Sequence, residues 1–231
     1  MSKSFSYTEK VARKKFFMML LFIFALTVLL YHLISAFIFR TYRIETDTMQ
    51  PTFESGQMLG AVTLFNTENL RRGDLVFRSA IYKDELNIFQ KLVNKICSLF
   101  TAKLVRPFGN EQRSLTHGAV FRIVGLPGDT IYMNNFIAYI KNAESDNFLT
   151  EFELSKQNYD IKTLQLPEGW KNSMPFSGST EKFILGEHEF FLLSDNRVST
   201  FDSRLSGICT ASNIEAKILF VLLPFKSWKK F

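Results

Sequence analysis

Cysteine is nearly absent: two residues in 231. That excludes a disulfide-dense scaffold and leaves too few thiols for a cysteine-rich zinc site. Charge is also sparse, at 22% of residues against 46% apolar, a balance opposite to that of a disordered chain. There is no internal repeat and no low-complexity linker. A large excess of one charge sign is missing too. The net charge is +6, but Lys3, Lys10, Arg13, Lys14 and Lys15, offset by Glu9, crowd into the first fifteen residues. Anionic lipid headgroups account for such a cluster, so nucleic acid is not expected as a partner. What the chain has in abundance is phenylalanine, 25 residues, many of them near the N-terminus.

Residues 16–39 carry no formal charge. As a helix this run reaches roughly 36 Å, enough to cross a ~30 Å hydrocarbon core with some tilt. It exceeds the ~7–15-residue apolar core of a cleaved leader, and Arg40-Thr41-Tyr42-Arg43 follows in place of a small-x-small cleavage site. The expected organisation is a basic cytoplasmic segment over 1–15, a retained transmembrane anchor over 16–39, and an outer domain over 40–231. The heavier basic flank before the span sets the N-terminus inside, weakly opposed by Arg40 and Arg43.

The outer domain reads mainly as strands. Gln57–Leu64, Asp74–Phe77, Gly118–Val124, Thr130–Tyr132, Glu189–Leu193 and Lys217–Leu223 are rich in β-branched and aromatic residues. Arg72-Gly73-Asp74, Leu126-Pro127-Gly128-Asp129 and Asp195-Asn196 punctuate them, which predicts a mostly antiparallel β architecture. One segment differs. Over 85–104, Leu86, Phe89, Val93, Ile96 and Phe100 recur at helical spacing, predicting an inserted amphipathic helix. Packing on the sheet and lying on the membrane surface are both open to it. Residues 144–182 are polar and irregular and read as a surface excursion. Lys226, Lys229 and Lys230 around Trp228 fit either a membrane surface or a solvated tail.

Four short blocks carry chemical information. They are Thr46-Asp47-Thr48-Met49-Gln50-Pro51-Thr52; Arg72-Gly73-Asp74-Leu75-Val76; Phe121-Arg122-Ile123-Val124-Gly125-Leu126-Pro127-Gly128-Asp129; and Ser194-Asp195-Asn196-Arg197, followed by Asp202-Ser203-Arg204. In this order, behind an N-terminal anchor, they resemble the bacterial type I signal peptidases (leader peptidases). The resemblance implies a β-rich catalytic domain on the outer face of the bacterial cytoplasmic membrane, carried by a single span. It also implies a serine endopeptidase acting on signal peptides of exported preproteins. A Lys serves as general base, and neither metal nor cofactor is used. Membrane lipid and signal peptides are the implied partners, and an active paralogue is a further candidate.

The family's site residues transfer with substitutions. The nucleophile position, before Met49, is Thr48, whose extra methyl crowds attack and stiffens χ1. The oxyanion hydroxyl falls on Thr46. The general-base Lys position, before Arg122, is Phe121, and a phenyl ring accepts no proton. The Gly opening the fourth block is Ser194, the Asp after its Arg is Val198, and the Ser that holds the Lys amine is Thr200. The scaffold positions Met49, Pro51, Arg122, Gly125, Pro127, Gly128, Asp129, Asp195, Asn196, Arg197, Asp202 and Arg204 keep the pattern, with Asp202 and Arg204 expected as an ion pair. His32, His117 and His188 have no expected catalytic role. Three readings follow, in order. The first is a signal-peptidase-like protein that keeps a groove for signal peptides but has lost Ser/Lys proteolysis. The second is an active endopeptidase using Thr48 and an unrecognised base. The third is a non-enzymatic membrane-anchored interaction module.

Overall fold

A computed structural model of the chain describes residues 7–79, 87, 89–90, 92–94, 97, 118–142, 147–172, 174, 177–198 and 202–231. It opens with helix α1, Tyr7–Phe37. Its stretch Val11–Tyr31 is long and apolar enough to cross a bilayer, and none of it is buried against the rest of the chain. Apolar side chains exposed on every face suit hydrocarbon better than water. The helix stops short of the predicted end at residue 39. After Ile38 the chain enters strand β1, Phe39–Arg43, where Phe39 pairs with Val62 and stacks on Phe220 with ring centroids 5.8 Å apart. Pairing with a sheet edge satisfies the backbone there, so helix gives way to strand.

Ten more strands follow: β2 (Met58–Val62), β3 (Leu75–Arg78), β4 (Ala119–Gly125), β5 (Thr130–Asn134), β6 (Ile137–Lys141), β7 (Leu149–Thr150), β8 (Thr180–Ile184), β9 (Glu189–Leu193), β10 (Cys209–Thr210) and β11 (Ile214–Leu223). Seven form one sheet in the order β1-β2-β11-β3-β4-β9-β10, and four form a second in the order β7-β6-β5-β8. Every strand pair is antiparallel, as the turn-punctuated sequence predicts. The large sheet is curled. Tyr42 of β1 and Phe77 of β3 stack with centroids 3.9 Å apart although β2 and β11 lie between their strands. In a flat sheet those strands would be about 14 Å apart.

Strand β4 is the hub, and its alternation distributes side chains among three cores. Val120 joins Ile44, Met49, Phe53, Leu59 and Leu75 inside the curl. Phe121 and Ile123 face the other way, onto Val76, Phe190, Leu192 and Cys209. Val124 meets the small sheet at Ile131, Met133 and Ile140. Gly125 ends the strand where only a hydrogen fits: a Cβ there would lie 2.2 Å from Ile131 Cδ1. Gly128 turns the chain into β5 with φ +82, a conformation that favours glycine.

Two sequence expectations need revision or fall outside view. Residues 144–182 are more than a surface excursion. They supply β7, the one-turn helix Glu151–Leu154 and the start of β8, and they bury Glu151 at 2% exposure. A reciprocal capping box between Thr150 and Glu153 starts that helix and fixes Glu151 in its first turn. Of the predicted helix over 85–104, residues 89–90, 92–94 and 97 are helical and the others lie outside the described residues.

Candidate functional site

The first block forms a single 3-10 turn, Asp47–Met49, directly after β1 and against β4. Met49 anchors it, fully buried inside the curl, and a cis Gln50–Pro51 peptide carries the chain out. The turn leaves two hydroxyls half-buried and facing each other. Thr46 Oγ1 and Thr48 Oγ1 are 2.9 Å apart, and either can donate. Among the described residues this is the only hydrogen bond of the Thr48 side chain, and no carboxylate, amine or imidazole shares it. Thr46 is therefore the hydroxyl partner of Thr48.

The fourth block holds the turn from behind through its backbone. Asn196 N–H donates to Thr48 O at 2.9 Å, and its side-chain Nδ2 donates to Asp47 O at 3.0 Å. Asp195, wholly buried, receives a two-pronged grip from Arg122: Nε to Oδ1 at 2.8 Å and Nη2 to Oδ2 at 2.6 Å. Arg122 also donates Nη1 to Gly73 O at 2.9 Å and Nη2 to Thr52 Oγ1 at 3.2 Å, and Thr52 donates to Asp195. One guanidinium thus ties all four blocks together. Arg72 of the second block forks onto Asp129 of the third, which also accepts from Leu126 N–H at 2.6 Å. Paired, hydrogen-bonded charges are the form in which a protein interior tolerates ions.

Asp202 and Arg204 form the expected ion pair, Nη2 to Oδ2 at 2.7 Å and Nε to Oδ1 at 2.8 Å. Ser194 adds two bonds to Asp202 Oδ2, from its hydroxyl at 2.7 Å and its N–H at 3.1 Å. Burial alone would raise the Asp202 pKa, but the Arg204 and Ser194 bonds carry it below the ordinary aspartate value. Ser194 is therefore bound into a buried acid. Thr200 lies outside the described residues, as does His117.

Phe121 is 1% exposed in the second core, among Leu70, Val76, Ile123, Phe190, Leu192, Cys209 and Ile214. The guanidinium carbon of Arg78 sits 4.6 Å from its ring centroid, and Arg78 donates to Ser206 Oγ at 2.7 Å. Burial lowers the Arg78 pKa from its ordinary value and pushes the neighbouring Cys209 thiol up to about 11. A guanidinium stays protonated near neutral pH, so it supplies a cation on the ring face and no base. Among the described residues no cluster of His, Cys, Asp or Glu is arranged to hold a metal ion.

Sequence reasoning missed Glu151 and Tyr159, and gave Thr52 of the first block no separate role. Arg197, completely buried, donates Nη2 to Glu151 Oε2 at 2.5 Å and Nη1 to Phe136 O at 3.0 Å. Burial works against its charge, yet Glu151 more than compensates and raises its pKa. Tyr159 donates to the same Glu151 oxygen at 2.6 Å, and the Arg122 guanidinium lies over the Tyr159 ring at 3.9 Å. A long-chain acid in a polar stretch reads as surface. Only the need of a buried Arg197 for a counter-ion could have pointed to it.

Two antiparallel sheets behind an apolar N-terminal helix, with the four blocks converging on a hydroxyl-bearing turn, define the arrangement that comparison can now place. Residues 14–223 match the family described as signal peptidase, peptidase S26, and the chain belongs to it. It is 26% identical to signal peptidase I of Bacillus licheniformis over 208 residues, covering 89% of this chain and 88% of that protein. It is 22% identical to signal peptidase IB of Staphylococcus aureus (strain COL) over the same length, with 89% and 88% covered. A crystal structure of a signal peptidase I from Enterococcus faecalis V583 superposes with a TM-score of 0.32 at 17% identity, over 64% of this chain and 96% of that one. That likeness is too loose to bear on the site.

Proposed function

We propose that this signal peptidase family member engages the signal peptides of exported preproteins at the bacterial cytoplasmic membrane without the usual Ser/Lys proteolysis. The observation that carries the reading is the buried Phe121 ring at the general-base position, packed in an apolar cluster under a guanidinium. A threonine hydroxyl is a poor nucleophile until a neighbour takes its proton. Thr46, its partner at 2.9 Å, is a hydroxyl and too weakly basic to take that proton near neutral pH. Loss of a general base removes about 10²–10⁴ in rate from that step. Binding makes other demands. An extended peptide adds to a sheet through backbone hydrogen bonds and side-chain pockets, and neither needs Ser or Lys.

The same reading places residues 1–15 in the cytoplasm, an anchor from residue 16 to the helix end at Phe37 in the membrane and the β domain outside. The supports are the basic N-terminal flank and the apolar helix. Lipid and signal peptides are the partners, with an active paralogue a candidate third. The test uses full-length protein in detergent and a preprotein with small residues at −1 and −3 that carries a photo-crosslinker in its signal peptide. Crosslinking with the preprotein left intact is the expected result. Cleavage that disappears in Thr48→Ala overturns the loss of proteolysis, and absence of both crosslinking and cleavage overturns the binding.

A further inference from the structure

Among the described residues, a further buried polar assembly reaches the site from a part of the chain that carries no block. Glu151 spends both carboxylate oxygens internally: Oε1 accepts from Ala138 N–H at 3.0 Å, and Oε2 accepts from Arg197 and Tyr159. Tyr159 then covers Arg122 with its ring. Three residues further on, the backbone joins the fourth block directly. Lys162 N–H donates to Asp195 O at 2.9 Å, Arg197 N–H donates to Lys162 O at 2.7 Å, and Lys162 and Asn196 form a parallel bridge. Asn196, between those two residues, is the one that grips Asp47 and Thr48. The segment from Thr150 to Lys162 thus backs the fourth block on the side away from the hydroxyl pair.

We infer that Glu151 and Tyr159 are positioning residues, which fix the fourth block through Arg197 and Arg122 and so set where the Thr46–Thr48 turn stands against the sheet. The coupling runs through few, strong contacts. Arg197 and Asp195 flank Asn196 in sequence, and each is immobilised by a charged partner that depends on this segment or touches it. Tyr159 is a lasting donor, because burial and the adjacent Glu151 charge hold its pKa far above the ordinary value. The role does not require the hydroxyls to react, nor a peptide to bind, so it stands or falls apart from the proposed function.

Amide hydrogen exchange on the full chain in detergent tests it, with Tyr159→Phe as the first variant and Glu151→Gln as the second. Losing a hydrogen bond to a charged group predicts about tenfold faster exchange. The expected sites are the amides of Gln50, Phe53, Asn196 and Arg197, whose bonds define the turn and its backing, while the β2–β11 ladder keeps its rates. Glu151→Gln keeps the side-chain shape but removes the charge, and the same local pattern is expected from it, so it supplies the test if Tyr159→Phe folds poorly. Faster exchange confined to residues 150–163 overturns the inference. So does a uniform rise across the large sheet, which would mark a general loss of stability.

Discussion

The two polar regions around β4 are built on opposite plans. Around Arg122 and Arg197, acids, guanidinium groups and a phenol are buried and paired, with Arg197 Nε left without a hydrogen-bond partner. At the Asp47–Met49 turn, two half-buried hydroxyls have each other. The first region needs every partner, because an unpaired buried charge is costly. The second tolerates replacement, because a hydroxyl near the surface loses little when its neighbour changes. The residues of the first region are coupled, and the two hydroxyls of the second are separable.

Breaking the coupled region should give the largest effect. Arg197→Ala leaves Glu151 without its cation and should cost about 3–5 kcal/mol, read as a lowered denaturant midpoint. A loss below about 1 kcal/mol would mean that the ion pair is not what closes the small sheet onto the fourth block. Phe121→Leu comes next. It keeps the apolar character but leaves space under Arg78, and should cost about 1–1.5 kcal/mol. A gain in stability on that change would show the ring to be strained in its cluster.

The smallest effect is expected at the separable site. Thr48→Ala removes one half-buried hydrogen bond and should cost about 0.5–1.5 kcal/mol. If it proved as damaging as Arg197→Ala, the contrast between the regions would fail. Acid gives an independent view. The folded pKa of Asp202 lies below its ordinary value of 3.8. Its contribution to stability is therefore complete above about pH 5 and fades as pH falls through 3.8 toward the lower folded value. Asp202→Asn should remove that part of the acid dependence in a titration followed by tryptophan fluorescence. An unchanged acid limb would assign the dependence to other carboxylates.

How much of this the sequence discloses depends on the range of the interactions. Strand β9 is legible to the residue, because Glu189-Phe190-Phe191-Leu192-Leu193 is a short apolar run bounded by turns. Strands β3 and β4 are legible within a residue or two at each end. Strand β1 is not, because Phe39 extends an apolar run and gives no local sign that the ladder to β2 takes over. Strands β7 and β10 have two residues each and exist only through their neighbours. At the site, positions 48 and 121 are visible only through the family resemblance that the blocks carry. The supporting network is not visible, because Glu151 and Arg197 meet across 46 positions, and nothing local tells which of Glu151 and Glu153 is buried.

The proposed lack of a working base at position 121 is tested most directly by intact-mass measurement of a preprotein incubated with the full-length protein in detergent, beside Thr48→Ala. The account predicts an unchanged preprotein mass with both proteins over the whole time course. A mature fragment that accumulates with the natural chain and is absent with Thr48→Ala would contradict it.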